Sequence, residues 1–233
     1  MAESEDLIYQ ALSKALLAGE LAPGTQLVET RVASLFGVSR ERVRKALHRL
    51  GHERLIEVIP HRGAFVSAPT LSQAREIYEA RRIIEGGVTA RLAGRLTPSQ
   101  IQQLRAHAQR EARAFTEGDR ASLIQLSRQF HLLLGQFCGN AFVVRELEEL
   151  VSRTSMLEAF FEPENASQCA CDEHREIVDA LEKGDATRAI STMHTHLSVI
   201  ETQLRTEPSD TRAFDADAAL AKAWAALTPR ACP

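Results

Sequence analysis

From about residue 70 to residue 205, apolar residues recur at the spacing of an α-helix, and capping residues separate the apolar runs. Thr70 with Gln73 and Thr97 with Gln100 have the spacing of capping boxes. Gly-Asp pairs at 118–119 and 184–185 each end one helix and cap the next, and Asn140 and Asn165 open two more. The pattern predicts an antiparallel α-bundle of six helices, near 71–93, 98–117, 120–138, 141–161, 166–183 and 186–205.

Composition excludes several classes of protein. The chain is 44% hydrophobic, which is enough for a core, and no apolar run reaches the roughly 18 residues of a membrane span. The first residues are acidic, unlike a signal peptide, so we expect a cytoplasmic protein without a membrane partner. The four cysteines form no CxxC pair and are expected to be free thiols: Cys138, Cys169, Cys171 and Cys232.

The distribution of charge singles out one short segment. The whole chain has a formal net charge of −3, which by itself argues against binding nucleic acid. Between residues 40 and 62, however, seven basic side chains stand against three acidic ones, a local charge of +4. This asymmetry is typical of a chain in which one module contacts phosphate and the remainder does not.

The first 68 residues have the pattern of a winged helix-turn-helix. A helix over residues 7–16 should stop near Gly19, and a short second helix should end at Gly37. Ser39 is a suitable N-cap for a third helix that ends at Gly51, and two strands follow at 55–59 and 64–66. In this architecture the third helix enters the major groove of DNA and the hairpin reaches the backbone or the minor groove.

This segment resembles the DNA-binding domain of the GntR family of bacterial transcriptional regulators. The resemblance is carried by the stretches at 19–24, 37–40, 43–47 and 61–66. It implies that Arg40 and Arg44 contact DNA and that Gly63 lets the wing approach it. Where many relatives have Thr-Pro, this chain has Glu41-Arg42, and Glu41 either accepts a hydrogen bond from cytosine or pairs with a neighbouring arginine. The predicted DNA-binding residues are Arg40, Arg42, Arg44, Lys45, Arg49, His61, Arg62 and Gly63.

Three histidines lie within the apolar stripes of different bundle helices: His131, His174 and His196. Each on its own is most simply a core residue with a satisfied hydrogen bond. Together they suit a divalent metal such as zinc or nickel, because imidazole binds such ions well. His194, two residues from His196, faces another side of its helix.

The bundle is similar to the FCD effector domain of the FadR-like GntR subfamily. The matching stretches are 78–85, 130–140, 173–185 and 196–197. The resemblance implies that these three histidines and one aspartate bind a divalent metal, and that a carboxylate effector completes its coordination. Ser127 occupies the aspartate position, so we expect it to contact the metal through water or the effector.

Arg81 is the predicted anchor for the carboxylate of an effector, because a buried guanidinium needs an anionic partner. The alternative partner is Glu85, one helical turn away. The two possibilities remain open at the level of sequence.

The predicted domains are therefore residues 1–68, a winged helix-turn-helix, residues 69–205, an all-helical effector and dimerisation domain, and residues 206–233, a tail with one amphipathic helix packed on the bundle or on a partner chain. The leading hypothesis is a non-enzymatic, homodimeric repressor that binds a palindromic operator and is released by a small organic acid. Two alternatives are the same regulator without a metal and a metal-dependent hydrolase with three histidine ligands.

Overall fold

The structure is a computed structural model that describes residues 2–68, 70–161, 168–204 and 215–228. The chain divides into two units, Met1–Pro69 with Asp210–Pro233, and Thr70–Ser209. The predicted helix cap at Asn165 and Cys232 lie outside the described residues, and so does the side chain of Cys169. In the described chain, no helix is both long enough and apolar enough to cross a membrane.

The N-terminal unit contains the predicted winged helix-turn-helix. Its elements are α1 (Ala2–Leu17), β1 (Gln26–Leu27), α2 (Glu29–Phe36), α3 (Arg40–His52), β2 (Ile56–Ile59) and β3 (Gly63–Val66). The sheet is antiparallel with strand order β1-β3-β2, and Ile59 pairs with Gly63 at the tip of the wing. Strand β1 was missed by the sequence analysis because two residues give no alternation to recognise.

Gly51 differs from its predicted role. It was expected to end α3, yet the helix continues through it to His52. A Cβ at residue 51 would lie 2.8 Å from Cγ2 of Val58 in β2. The glycine is therefore explained by the close packing of the wing on α3 rather than by a helix end.

The same unit includes a further helix from the end of the chain, α10 (Ala216–Leu227), capped by Asp215. Helix α10 packs against α1 and α2, through an apolar stripe that comprises Ala219, Leu220 and Ala223. The sequence predicts this helix, but on the bundle or on a partner chain. The structure instead makes it part of the winged-helix unit.

The second unit has the six predicted helices with boundaries within about two residues of expectation. They are α4 (Leu71–Leu92), α5 (Pro98–Thr116), α6 (Arg120–Cys138), α7 (Ala141–Phe161), α8 (Gln168–Lys183) and α9 (Ala186–Gln203). Thr97 and Gln100 form a full capping box, and Asp119 and Asp185 cap their helices as predicted. Thr70 makes no capping hydrogen bond to the backbone, so that part of the prediction is wrong.

The core of the second unit lies where α4, α6, α7, α8 and α9 pack together. Phe130 and Leu197 are fully buried there, and Cys138 is a buried free thiol. At one end, the backbones of Gly94 and Gly184 approach so closely that a Cβ on Gly94 would lie 3.3 Å from Cα of Gly184. The segment after α4 thus lies against the connection between α8 and α9, the helices that carry two of the predicted histidine ligands.

Candidate functional site

The three predicted histidines converge in the core of the bundle. His131 comes from α6, His174 from α8 and His196 from α9, and each residue is at most 1% exposed. Nε2 of His196 lies 3.1 Å from Nε2 of His174 and 3.3 Å from Nε2 of His131. Phe130 stacks on the His174 ring at 3.9 Å between centroids and forms an apolar wall beside it.

Each of these histidines has a carboxylate at its other ring nitrogen. Nδ1 of His131 donates to Glu85 Oε2 at 2.5 Å. Nδ1 of His174 donates to Glu111 Oε2 at 2.9 Å, and Nδ1 of His196 donates to Glu173 Oε2 at 2.9 Å. A proton held on Nδ1 leaves a lone pair on each Nε2, so three lone pairs point at one small volume.

This donor set fits a divalent metal ion. Tetrahedral coordination with metal–nitrogen distances of about 2.0–2.1 Å places ligand nitrogens about 3.3 Å apart, close to the two separations observed here. Carboxylates that accept from Nδ1 are the usual outer partners of metal-binding histidines. Burial lowers the pKa of His131 and of His174 well below the usual value, which keeps both rings neutral and able to bind a cation.

Ser127 lies half-buried on α6, one turn before His131. Its hydroxyl supplies no negative charge, in contrast to the aspartate implied by the resemblance. The negative charge near the cluster comes from the three carboxylates on the outer nitrogens. His194 lies apart from the cluster, since its Nε2 bonds to the carbonyl of Arg82 at 3.0 Å.

Arg81 is almost completely buried beside this cluster. Its Nε donates to Glu85 Oε1 at 2.7 Å, and its Nη1 donates to Thr154 at 2.8 Å. Glu85 thus joins Arg81 to His131 through its two oxygens. Burial would raise the pKa of Glu85, but the charge of Arg81 and the hydrogen bonds from Arg81 and His131 lower it to about 2. The Nη2 of Arg81 is buried and has no hydrogen-bond partner among the described residues.

In two other buried carboxylates, Glu111 and Glu158, the pKa is raised instead of lowered. Burial raises the pKa of Glu111 to about 7, although nearby basic side chains oppose the shift. Burial also raises the pKa of Glu158 to about 7, against the charge of Arg81 and a hydrogen bond from Tyr78. Of these three buried carboxylates, Glu85 is firmly ionised, whereas Glu111 and Glu158 ionise near neutral pH.

The second candidate site is the exposed face of α3 with the adjacent wing. Arg44 donates from Nε and Nη2 to the two oxygens of Glu29, both at 2.8 Å. Arg40 lies 3.9 Å from the same carboxylate, and both arginines line a cavity of about 250 Å³ between α2, α3 and the wing. The charge of Arg44 lowers the pKa of Glu29, so the pair is ionised at neutral pH.

The remaining predicted DNA contacts fall into two groups. Arg42 is half-buried, and the others on the same surface are exposed: Lys45, His61, Arg62 and Gly63. Lys45 is 3.9 Å from Glu41, so Glu41 has a neighbour on its own helix, although a lysine rather than an arginine. Arg49 is different, because it pairs with Asp6 and Glu53 and lies 3.7 Å above the Tyr9 ring. These contacts give Arg49 a structural role in the N-terminal unit, and its DNA contact stays a prediction.

The wing tip has the backbone that a close approach requires. His61 has φ of 61° and Gly63 has φ of 106°, a region that favours glycine. The Gln26 side chain donates to the carbonyl of Arg62 at 2.9 Å and holds the tip against β1. The tip thus presents a fixed backbone edge beside His61 and Arg62.

Comparison with known families assigns both units. Residues 5–66 match the profile of bacterial regulatory proteins of the gntR family, and residues 76–199 match the FCD domain. The chain belongs to the GntR family of transcriptional regulators, with an FCD domain. This membership removes the hydrolase hypothesis, since the family consists of regulators and not of enzymes.

Individual relatives agree with the assignment. The regulator is 31% identical over 209 residues to the HTH-type transcriptional repressor RspR of Escherichia coli, a match that covers 87% of this chain and 91% of that protein. It is also 31% identical over 194 residues to an uncharacterized HTH-type regulator of Streptomyces ambofaciens, covering 83% and 81%. The solved structure of E. coli McbR/YncC shares the fold, with a TM-score of 0.65 and 22% identity over 85% of this chain and 97% of that one.

Sequence reasoning missed several residues of the regulator's sites. Glu111 and Glu173 were not singled out, and neither was Glu29. Glu111 had a signal, because it continues the apolar stripe of Ile101, Leu104 and Ala108 at helical spacing. A carboxylate at a core position needs a buried donor, and a buried histidine is such a donor. No comparable sequence signal marks Glu29, since acidic residues are ordinary in the first turn of a helix.

Proposed function

We propose that this GntR-family regulator is a homodimeric repressor that binds a palindromic operator and is released when a small organic acid binds beside a metal held by three histidines. The observation that carries the metal half is the convergence of three Nε2 atoms whose Nδ1 partners are all carboxylates. The DNA half rests on the basic face of α3 and the wing. A cytoplasmic location, where DNA is accessible, belongs to the same proposal.

The metal would be held by Nε2 of His131, His174 and His196. Zinc and nickel both accept imidazole ligands, and three neutral ligands leave open positions for water or an effector oxygen. The outer carboxylates fix the orientation of the rings and increase the donor strength of Nε2. When bound, the ion supplies a positive centre that attracts an anionic ligand.

Arg81 would provide the second point of attachment for the effector. Its buried Nη2 has an unused donor, since Nε and Nη1 already donate to Glu85 and Thr154. A carboxylate on the effector would satisfy this donor and bind the metal. Ser127, one turn from His131, would contact the effector or a metal-bound water. This arrangement favours small organic acids over neutral ligands.

Release from DNA would follow from differential binding. An effector changes the DNA affinity only if it binds one conformation of the dimer better than the other. Two recognition helices in a symmetric dimer would read half-sites about one helical turn apart. The effector would favour the arrangement in which this spacing is lost.

The experiment that tests the metal half is elemental analysis of the purified full-length protein, with His174→Ala as the variant and His194→Ala as the matched control on α9. We expect close to one zinc or nickel ion per chain in the wild type and in His194→Ala, and none in His174→Ala. Equal metal content in all three proteins would overturn the three-histidine site. It would favour the same regulator without a metal.

The sensing half is tested by a panel of small mono- and dicarboxylates in a thermal-shift assay and a DNA-binding assay. A ligand at 100 times its dissociation constant should stabilise the fold by about 2.7 kcal/mol. The DNA probe is a duplex selected from a randomised pool by the wild-type protein. A protein–DNA complex that resists every metal and every acid in the panel would count against effector release.

A further inference from the structure

Helix α1 is buried on more sides than packing within a three-helix DNA-binding domain would explain. Nearly every residue from Ile8 to Leu17 is buried, and the fully buried ones include Ala11, Leu12 and Ala15. A helix that packs on one partner usually buries one stripe. Here α3 covers one side of α1 and α10 covers another.

The contact between α10 and α2 lies at the helix-turn-helix turn. Trp224 stacks on Phe36 with ring centroids 4.5 Å apart and an angle of 6° between the planes. Phe36 is the last residue of α2, and Gly37 follows it in the left-handed conformation with φ of 63°. Because α3 begins three residues after Gly37, the ring stack is next to the turn that sets the direction of the recognition helix.

Two ion pairs fix α10 along its length. Asp217, in its first turn, accepts from Arg31 of α2 at 2.7 Å. Lys222, one to two turns later, donates to Glu20 in the segment after α1 at 2.6 Å. Exposed pairs of this kind contribute little to stability, but they select one register of the helix on its support.

We propose that α10 is a positioning element for DNA recognition, and that Trp224 acts by holding Phe36 and the turn before α3. Because Trp224 stacks on Phe36, it would affect operator binding through the placement of α3. Neither family profile reaches residues 216–227, so the element is an addition to the domain that the family pattern describes. The inference rests on operator binding by the face of α3 and the wing.

The test compares Trp224→Ala with Trp224→Phe in the full-length protein. The probes are a duplex selected from a randomised pool by the wild type and an unrelated duplex of equal length. We expect Trp224→Ala to bind the selected duplex about tenfold more weakly, with nearly unchanged affinity for the unrelated duplex, since an aromatic stack contributes on the order of one tenfold step. Trp224→Phe retains a ring on Phe36 and should restore the wild-type ratio of the two affinities.

A general loss of folding would lower both affinities together, whereas misplacement of α3 lowers only the first. Circular dichroism at the assay temperature identifies folded variants. If Trp224→Ala does not fold, Trp224→Leu replaces it, because leucine keeps apolar contact and removes the stack. A wild-type ratio in a folded variant without the ring would overturn the proposal.

A second measurement uses the wild type alone. Trp224 is the single tryptophan of the chain, so intrinsic fluorescence reports its surroundings without labelling. Stacking on Phe36 predicts weak quenching by acrylamide, rising to the level of a free tryptophan when α10 undocks. Quenching at the free level in the folded protein would overturn the proposal. A wild type that selects no sequence from the pool would instead contradict operator binding, which separates that failure from this one.

Discussion

Glu29 holds Arg44 by two parallel hydrogen bonds, each 2.8 Å long, across the gap between α2 and α3. A two-point pair of this kind fixes the plane of the guanidinium group as well as its position. The Nη1 group of Arg44 is not used in this pair, so in the proposed complex it would be the donor for a base edge or a phosphate. Glu29, whose negative charge would repel DNA, thus orients the positively charged Arg44, which would attract it.

Glu29→Gln is therefore expected to have opposite effects on two kinds of DNA binding. Loss of a negative charge near phosphates should strengthen binding to unrelated DNA. Loss of the two-point grip should reduce preference for the selected duplex about tenfold, the scale of one good bidentate base contact. Competition binding with both duplexes measures the two effects. Glu57→Gln on β2, which removes the same charge from an exposed position, should change only unrelated binding; a similar loss of preference in both variants would contradict the role of the grip.

Arg49 and Arg62 should separate stability from DNA contact. Arg62→Ala is expected to reduce the slope of log affinity against log salt concentration by about one unit per subunit, as for a lost phosphate contact. Arg49→Ala should leave that slope unchanged and lower the Tm, because it removes the pairs with Asp6 and Glu53 and a cation–π contact of about 0.5–1 kcal/mol on Tyr9. Salt titrations and thermal unfolding of both variants check this. A reduced slope in Arg49→Ala would show that Arg49 contacts a phosphate of the DNA.

Glu111→Gln should weaken metal binding without removing a ligand. The change preserves the size of the side chain and one acceptor for Nδ1 of His174. It removes the negative charge that increases the donor strength of Nε2 toward a metal. Loss of such an outer partner typically lowers metal affinity about 10–100-fold. Competition against a chelator with zinc or nickel measures the change. Glu117→Gln, at the exposed end of α5, is the matched control, and equal affinities in the two variants would show that the outer carboxylate has no influence.

Glu158→Gln should stabilise the metal-free protein at high pH and not at low pH. Because the pKa of Glu158 is raised from 4.5 to about 7 in the folded protein, its contribution to stability is fully present below pH 4.5 and is lost as the pH rises through 7. A glutamine at this position does not titrate. The free energy of unfolding of the variant, relative to that of the wild type, should therefore rise by on the order of 3 kcal/mol between pH 5 and pH 8. Denaturant unfolding with a chelator present measures this gain. The contributions of His131, His174 and Glu111 occur in both proteins, and a constant difference between them would contradict the shifted pKa.

The sequence predicted the helices of the second unit because their boundaries are local. Gly118-Asp119 and Gly184-Asp185 end and cap helices through bonds to neighbouring backbone groups, which sequence spacing specifies. The predicted helix end at Gly51 is wrong, because the glycine is explained by close packing against the distant Val58 in β2 and not by a local helix end. The histidines could be grouped because each lies in an apolar stripe, but which carboxylate serves which ring depends on packing between helices. Glu173 precedes His174 in the chain and yet bonds to His196.

The position of α10 could not be predicted for a related reason. Its apolar stripe indicates that the helix is packed, but a stripe does not identify the surface that it covers. The partners Phe36 and Arg31 lie about 190 residues earlier in the sequence. Long-range pairing of this kind leaves no periodic signal in either segment.

The participation of α10 in the N-terminal unit also affects the order in which this protein can mature. Domains generally fold as units during synthesis, the N-terminal one first. Here the apolar surface of α1 and α2 is covered by α10, which the ribosome makes only after the entire helical bundle. A nascent chain would carry an incompletely covered DNA-binding unit throughout that interval, so full competence for recognition would be acquired only once the effector domain has been made.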